Sequence, residues 1–308
     1  MTILFAAGDW RWPTWEAPLR AALREAGLDD SALTLTASDP GAVEVMIYAP
    51  GGDTPDDFTP YSRCKAVLSL WAGVERIVTN PTLTQPLCRM VDPGLTQGMV
   101  EYVVGHTLRA HLGMDQLSRT RWQPVMPPLA GERPVAMLGL GALGAACGQS
   151  LACLGFPVLG WSRGPRDVSM IECHHGREGL RTVLEQAQIV VTLLPSTPET
   201  ENTLDAETLG WLPRGAAIIN PGRGTLIDDD ALLAALDSGQ VAQATLDVFR
   251  TEPLPQGHPY WAHPRVTVTP HIAAETRPAT AARVIAENIR RLRAGEPLLH
   301  RVDRIAGY

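Results

Sequence analysis

Short apolar runs bounded by turn residues alternate with amphipathic stretches along most of this chain. Residues 3–7, 43–49 and 66–70 predict buried strands, and 16–26 carries the spacing of a helix. Turn-rich sequence such as Ala49-Pro50-Gly51-Gly52-Asp53 separates them. Asp92-Pro93-Gly94 then punctuates the chain. A helix is predicted over about 97–112, with Met99, Val103, Val104, Leu108 and Leu112 on its apolar face. From Pro134 onward the pattern repeats as strand–helix–strand. Residues 135–138, 158–161, 189–193, 216–219, 244–248 and 266–269 are spaced for a parallel sheet with helices between them. A last helix is expected over about 277–294, ahead of a polar tail that runs from Arg301 to Tyr308.

With 308 residues, 45% of them hydrophobic, the chain has the length of about two domains, since chains beyond ~250 residues usually divide. The 26 basic and 33 acidic side chains leave a net charge of −7. That balance argues against a dedicated nucleic-acid binder, which carries a basic surplus. Cys64, Cys88, Cys147, Cys153 and Cys173 form no C-x-x-C pair, which points to reduced thiols and a cytoplasmic protein. Residues 1–7 run directly into Asp9 and Arg11 and read as a first strand, not a signal peptide. The stretch 134–162 holds no charged residue and has the length of a membrane span. Its glycines and Pro157 instead fall at strand–turn–helix–strand positions, so no membrane partner is expected.

That uncharged stretch contains Gly139-Leu140-Gly141-Ala142-Leu143-Gly144, which follows a strand-like run and opens a helix-like one. The first glycine permits a tight turn, the second lets backbone approach a pyrophosphate, and the third lets helix pack on strand. A G-x-G-x-x-G alone is a weak signal, equally a packing turn between two elements. Here strand, turn, helix and second strand are all present, and they predict dinucleotide binding. The second strand ends Gly160-Trp161-Ser162-Arg163-Gly164-Pro165-Arg166, with no acid where an NAD site places one for the ribose 2′-hydroxyl. Ser162, Arg163 and Arg166 suit a 2′-phosphate. The alternative is a solvated surface loop. NADP(H) is therefore expected in preference to NAD(H).

Three further residues follow successive predicted strands. Arg223 lies in Asn220-Pro221-Gly222-Arg223-Gly224, Glu252 in Asp247-Val248-Phe249-Arg250-Thr251-Glu252-Pro253, and His271 in Thr269-Pro270-His271-Ile272-Ala273. In a doubly wound sheet the carboxyl ends of the strands face the ligand crevice. Arg223 would hold a carboxylate and polarise a ketone, and His271 as imidazolium would donate a proton to the developing alkoxide. Glu252 would orient the ring and raise its pKa. Taken singly, each reads as a structural cation, a helix-cap histidine and a solvated acid. Together beside a nicotinamide site they point to reduction of a 2-keto acid.

These segments resemble the D-isomer-specific 2-hydroxyacid dehydrogenases over nearly the whole chain, and among them the bacterial glyoxylate/hydroxypyruvate reductase A type. The matching stretches include Leu193-Leu194-Pro195-Ser196-Thr197-Pro198-Glu199-Thr200, the Arg223, Glu252 and His271 motifs, Trp161-Ser162-Arg163, and the terminal 302–308. The resemblance implies a Rossmann cofactor domain over 97–276, with a smaller flavodoxin-like α/β substrate domain made from 1–96 and 277–308. It implies Arg223, Glu252 and His271 as catalytic positions. Cofactor contacts would come from Gly139, Gly141, Ala142, Leu143, Gly144, Ser162, Arg163, Arg166, Leu194, Pro195, Thr200, Pro221 and Gly222, with Asp247 near the carboxamide. Substrate contacts would come from Trp71, Ala72, Gly73 and Val74 together with Arg223, His271 and Arg277. The activity implied is NADPH-dependent reduction of glyoxylate and hydroxypyruvate by a homodimer formed through the helices of the cofactor domain. The alternatives are an NAD-linked dehydrogenase of a larger D-2-hydroxy acid and a non-catalytic dinucleotide sensor on the same fold.

Two positions depart from the family pattern. Trp71 stands where glycine is common, and either narrows the pocket or packs outward. Pro221 follows Asn220, which removes a backbone donor. Arg277 is a second carboxylate contact or, on the favoured reading, a helix-cap and hinge cation. His174 and His175 are expected in a polar loop, and His106 and His111 lack the i, i+4 spacing of a metal pair. No metal site is expected.

Overall fold

Residues 1–117, 122, 124 and 126–304 are described by the structure, a computed structural model. The chain divides into two compact units, one made of Met1–Leu95 and the segment from Glu275 onward, the other of Thr96–Ala274. The end of the polar tail, 305–308, lies outside the described residues.

In the first unit the apolar runs form β1 (Thr2–Ala6), β2 (Leu33–Thr34), β3 (Val43–Tyr48), β4 (Ala66–Ser69) and β5 (Leu87–Cys88), with helices α1 (Trp12–Glu25) and α2 (Glu75–Val78) between them. All pair in parallel in the order β2-β1-β3-β4-β5, the flavodoxin-like winding. Helix α3 (Pro93–His111) follows and starts four residues before its predicted beginning at 97. Asp92 and Pro93, read in sequence as punctuation, are the helix start. Asp92 Oδ1 accepts the N–H groups of Gly94 and Leu95 at 2.8 and 3.3 Å, and proline at the first helical position gives up no needed donor.

The second unit continues with β6 (Val135–Leu138), α4 (Ala142–Cys153), β7 (Val158–Ser162), β8 (Glu172–His175), α5 (Gly176–Gln186), β9 (Ile189–Thr192), α6 (Ala206–Trp211), β10 (Ala216–Asn220), α7 (Asp229–Ser238), β11 (Val241–Leu246) and β12 (Val266–Val268). The strands are all parallel, ordered β12-β11-β10-β9-β6-β7-β8. Counted from β6, this is the doubly wound order with one strand added. Alternate residues serve opposite faces. Ala136, Val190, Ile218 and Ala244 join a core with Leu184, Leu209 and Leu236 of α5, α6 and α7. Val135, Ile189, Val191 and Ala217 join another with Val103 of α3 and Leu151 of α4. Strands buried on both faces explain the unbroken apolar runs. Among the described residues no helix is long and apolar enough to cross a membrane.

Three strands were not expected, the short β2 and β5 of the first unit and β8 of the second. His174 and His175 lie on β8, not in a loop, at the edge of the seven-stranded sheet. Neither face of β8 is fully buried, so it lacks the apolar run by which the inner strands are recognised.

After β12 the chain returns to the first unit as α8 (Pro278–Ala294). Its Ala281, Ala282, Ile285 and Ile289 join Trp15, Leu19 and Leu23 of α1 in one core on the five-stranded sheet. Gly295, at φ 69°, ends it.

Candidate active site

The glycine turn lies between β6 and α4. Gly139 has φ 108°, and a Cβ there would meet the Leu193 carbonyl oxygen at 2.5 Å. A Cβ on Gly144 would stand 1.8 Å from the Gly139 carbonyl oxygen, so the first turn of α4 lies directly against the loop. Gly141, by contrast, has nothing within 4 Å of a Cβ. It precedes Ala142 and Leu143 at the α4 N-terminus. The turn is thus closed where strand and helix pack and open where a pyrophosphate would approach the helix N–H groups, and the residues present fit a dinucleotide. At the end of β7, the Ser162 hydroxyl donates to the Gly164 carbonyl at 2.8 Å, and Arg163 and Arg166 are exposed. Beyond β9, Leu194 is buried, while Thr200 ties its loop by donating to the Pro195 carbonyl at 2.6 Å and accepting from Thr197 N–H at 2.9 Å.

Arg223, Glu252 and His271 follow β10, β11 and β12, which are neighbours in the sheet. Asn220, at the end of β10, shapes the first of these loops. Its Oδ1 accepts the Thr192 hydroxyl at 2.6 Å and Gly222 N–H at 3.1 Å, and its Nδ2 donates to the Arg223 carbonyl at 2.9 Å. The missing donor of Pro221 is therefore not needed, because the turn is held by the asparagine side chain. The Arg223 guanidinium donates to the Gly222 carbonyl at 2.7 Å.

Glu252 joins the second loop to the third. Its Oε1 accepts Phe249 N–H at 2.9 Å, and its Oε2 lies 2.7 Å from His271 Nδ1. The hydrogen bond to Glu252 raises the imidazole above its ordinary pKa, against burial and the Arg223 charge, which lower it. Burial pushes the Glu252 carboxyl up, but the bonds to His271 and Phe249 outweigh it and hold the carboxyl below its usual range. The pair therefore favours imidazolium beside carboxylate. His271 is 53% exposed and keeps its other ring nitrogen out of this bond.

Asp247 is fully buried. Its Oδ1 accepts the Thr269 hydroxyl at 2.6 Å and Ile272 N–H at 2.9 Å, and its Oδ2 accepts Ala273 N–H at 2.8 Å. Its carbonyl accepts His271 N–H at 2.9 Å. The carboxylate thus secures the histidine loop from beneath. Arg250 fastens the other two loops, with Nη1 3.1 Å from Glu201 and Nη2 2.8 Å from the Ile227 carbonyl. Sequence reasoning assigned no role to Arg250, Thr192 or Thr269. The one signal in the sequence was that each stands at or just past the end of an apolar run.

In the first unit, Trp71 stands just after β4. It is half-buried and packs against the core of that unit, with its N–H on the Ser69 hydroxyl at 2.9 Å and its carbonyl accepting Met90 N–H at 2.9 Å. Ala72 and Gly73 follow it, and Val74 is buried ahead of α2. Arg277 occupies the N-cap position of α8 through its backbone alone, and its side chain makes no cap hydrogen bond. Among the described residues no group of three or more His, Cys, Asp or Glu is placed to hold a metal ion.

A sheet wound in this order and opened by such a turn defines the dinucleotide-binding α/β class. Within that class, residues 100–273 match the family model of the D-isomer specific 2-hydroxyacid dehydrogenase NAD-binding domain. The chain is 39% identical over 287 residues to glyoxylate/hydroxypyruvate reductase A of Serratia proteamaculans (strain 568), covering 86% of this chain and 92% of that protein. It is 40% identical over 272 residues to the reductase of the same name from Salmonella heidelberg (strain SL476), covering 85% and 87%. Among solved structures, a D-isomer specific 2-hydroxyacid dehydrogenase from Xanthobacter autotrophicus Py2, in complex with NADPH and MES, superposes with a TM-score of 0.91 at 41% identity over 100% of this chain and 99% of that one. The NADPH-dependent glyoxylate/hydroxypyruvate reductase of Sinorhizobium meliloti, in complex with NADP and sulfate, gives 0.87 at 30% identity over 100% of each chain. The protein belongs to the D-isomer-specific 2-hydroxyacid dehydrogenase family.

Proposed function

We propose that this protein is an NADPH-dependent reductase of small 2-keto acids, with glyoxylate and hydroxypyruvate as substrates and His271 as the proton donor. The observation that carries the reading is the 2.7 Å pair of His271 and Glu252, on the strand ends that neighbour the Arg223 loop. Bound at the glycine turn, the reduced nicotinamide supplies the hydride. Arg223 holds the substrate carboxylate and draws electron density from the keto oxygen, and the free ring nitrogen of His271 delivers the proton to the oxygen that gains charge. Glu252 keeps the ring oriented and protonated. The backbone at Ala72, Gly73 and Val74 adds carboxylate contacts on the same reading.

Preference for NADPH rests on Ser162, which ends β7, and on Arg163 and Arg166 after it, with no acidic residue among 160–166. It is supported by the NADPH and NADP named with the two similar structures. The reading includes a cytoplasmic homodimer formed through α3, which sedimentation velocity of the purified protein tests.

A panel of 2-keto acids, run with NADPH and NADH in turn, tests the assignment. Turnover of glyoxylate and hydroxypyruvate, faster with NADPH, is expected. His271→Ala should abolish most of it while NADPH binding stays near the wild-type level. Inactivity across the panel, or loss of cofactor binding by His271→Ala, would overturn the reading.

A further inference from the structure

The Thr269 hydroxyl stands between two partners, 2.6 Å from Asp247 Oδ1 and 2.7 Å from the Tyr102 hydroxyl on α3. A threonine hydroxyl has one proton to give, and a carboxylate only accepts. Thr269 therefore donates to Asp247, and Tyr102 must donate to Thr269. Burial pushes the Tyr102 phenol up, with the Thr269 bond opposing, so the phenol retains the proton it donates. The Tyr102 ring is itself held by His106, whose ring centroid lies 4.4 Å away.

The far end of this series is His271. Its backbone has φ 56°, the left-handed region that few residues other than glycine take, although asparagine, aspartate and histidine take it more often than the rest. Its own N–H bonds to the Asp247 carbonyl, and the next two N–H groups bond to the Asp247 carboxylate. One aspartate thus holds three consecutive amides around an unfavourable backbone angle, and its Oδ1 also accepts the Thr269 hydroxyl.

We propose that Tyr102 is a positioning residue for His271, its hydroxyl fixing Thr269 so that the Asp247 carboxylate holds the His271 loop against Glu252. The proposal rests on the reading of His271 as proton donor. Without the phenol proton, the Thr269 hydroxyl loses the partner that fixes its rotation, and Asp247 loses a fixed donor. The left-handed residue is then free to relax and carry the ring away from Glu252. The charged and titratable groups that act on His271 are Glu252, Arg223 and Asp247; those that act on Tyr102 are Asp247 and Arg109, with the tilted His106 ring against its own. Tyr102→Phe alters none of them.

The test is the titration of His271 in the cofactor-free protein by proton NMR, its signal assigned by its loss in His271→Gln, together with steady-state kinetics. Tyr102→Phe should lower the His271 midpoint by about half a pH unit, since the Glu252 bond that raises it is weakened. It should lower kcat about fivefold while leaving the KM for NADPH within about twofold. Thr269→Val should do the same, and the double variant should be no worse than Thr269→Val alone, because the two residues act in series. Thr269→Ser, which keeps the hydroxyl, should restore wild-type values. A purely structural role would lower the melting temperature without moving the His271 midpoint. The proposal is overturned if Tyr102→Phe titrates like wild type or if the effects of the two substitutions add. Should His271→Ala remain active, the proton-donor reading fails; should it be inactive while Tyr102→Phe behaves as wild type, only the positioning role fails.

Discussion

Gly224 and Phe249 are in contact so close that a Cβ on the glycine would stand 2.0 Å from the phenylalanine carbonyl carbon. The loop that carries Arg223 and the loop that leads to Glu252 therefore lean on each other through bare backbone. Gly224→Ala forces one of them to move, and because Phe249 N–H is bonded to Glu252, the displacement reaches the histidine's partner. We expect Gly224→Ala to cost about 1–3 kcal/mol of stability, as overpacking does, and to lower kcat/KM at least tenfold, measured by denaturant unfolding and steady-state kinetics.

The acid–base pair sets a pH dependence of definite sign. On the proposed mechanism reduction needs His271 protonated, and Glu252 raises its pKa, so activity should decline as pH rises through a value above the ordinary imidazole one. Glu252→Gln removes the main cause of the shift. The alkaline limb of kcat/KM should then move to lower pH. An unmoved limb would mean that another group donates the proton.

At the glycine turn, two substitutions should separate packing from binding. Gly144→Ala places a Cβ 1.8 Å from the Gly139 carbonyl oxygen and should lower the melting temperature even without cofactor. Gly141→Ala meets nothing within 4 Å. It should leave that temperature unchanged yet weaken NADPH binding about tenfold or more, because the methyl obstructs the approach of the pyrophosphate. Calorimetric melting and NADPH fluorescence titration read the two effects.

The thiols divide by burial. Burial pushes Cys147 up to about 12 and Cys64 and Cys88 up to about 11, whereas Cys153 is exposed. A maleimide at neutral pH should label Cys153 in the folded protein and spare those three, as intact-mass and peptide mapping would record.

The parts of the molecule that were legible in the sequence are those with a local signature. Residues 135–138 and 189–191 are unbroken apolar runs because both faces of β6 and β9 are buried. The glycine turn and the Arg223, Glu252 and His271 motifs stand beside such runs. β8 was not legible, since an edge strand with half-exposed faces carries no pattern. Nor was the start of α3, where proline reads equally as a break and as a first helical residue. The network beneath His271 was less accessible still. Tyr102 and Thr269 lie 167 positions apart, and no spacing rule joins a tyrosine on one helix to a threonine after the last strand.

The path of the chain also sets an order of events during synthesis. The seven-stranded unit is one continuous segment and can fold as soon as it has emerged from the ribosome. The five-stranded sheet emerges first, but α8, which shares a core with α1, is made last. The apolar face that α8 covers must wait, unpacked, while the whole of the other unit is translated. That interval is when the nascent protein has most need of a chaperone.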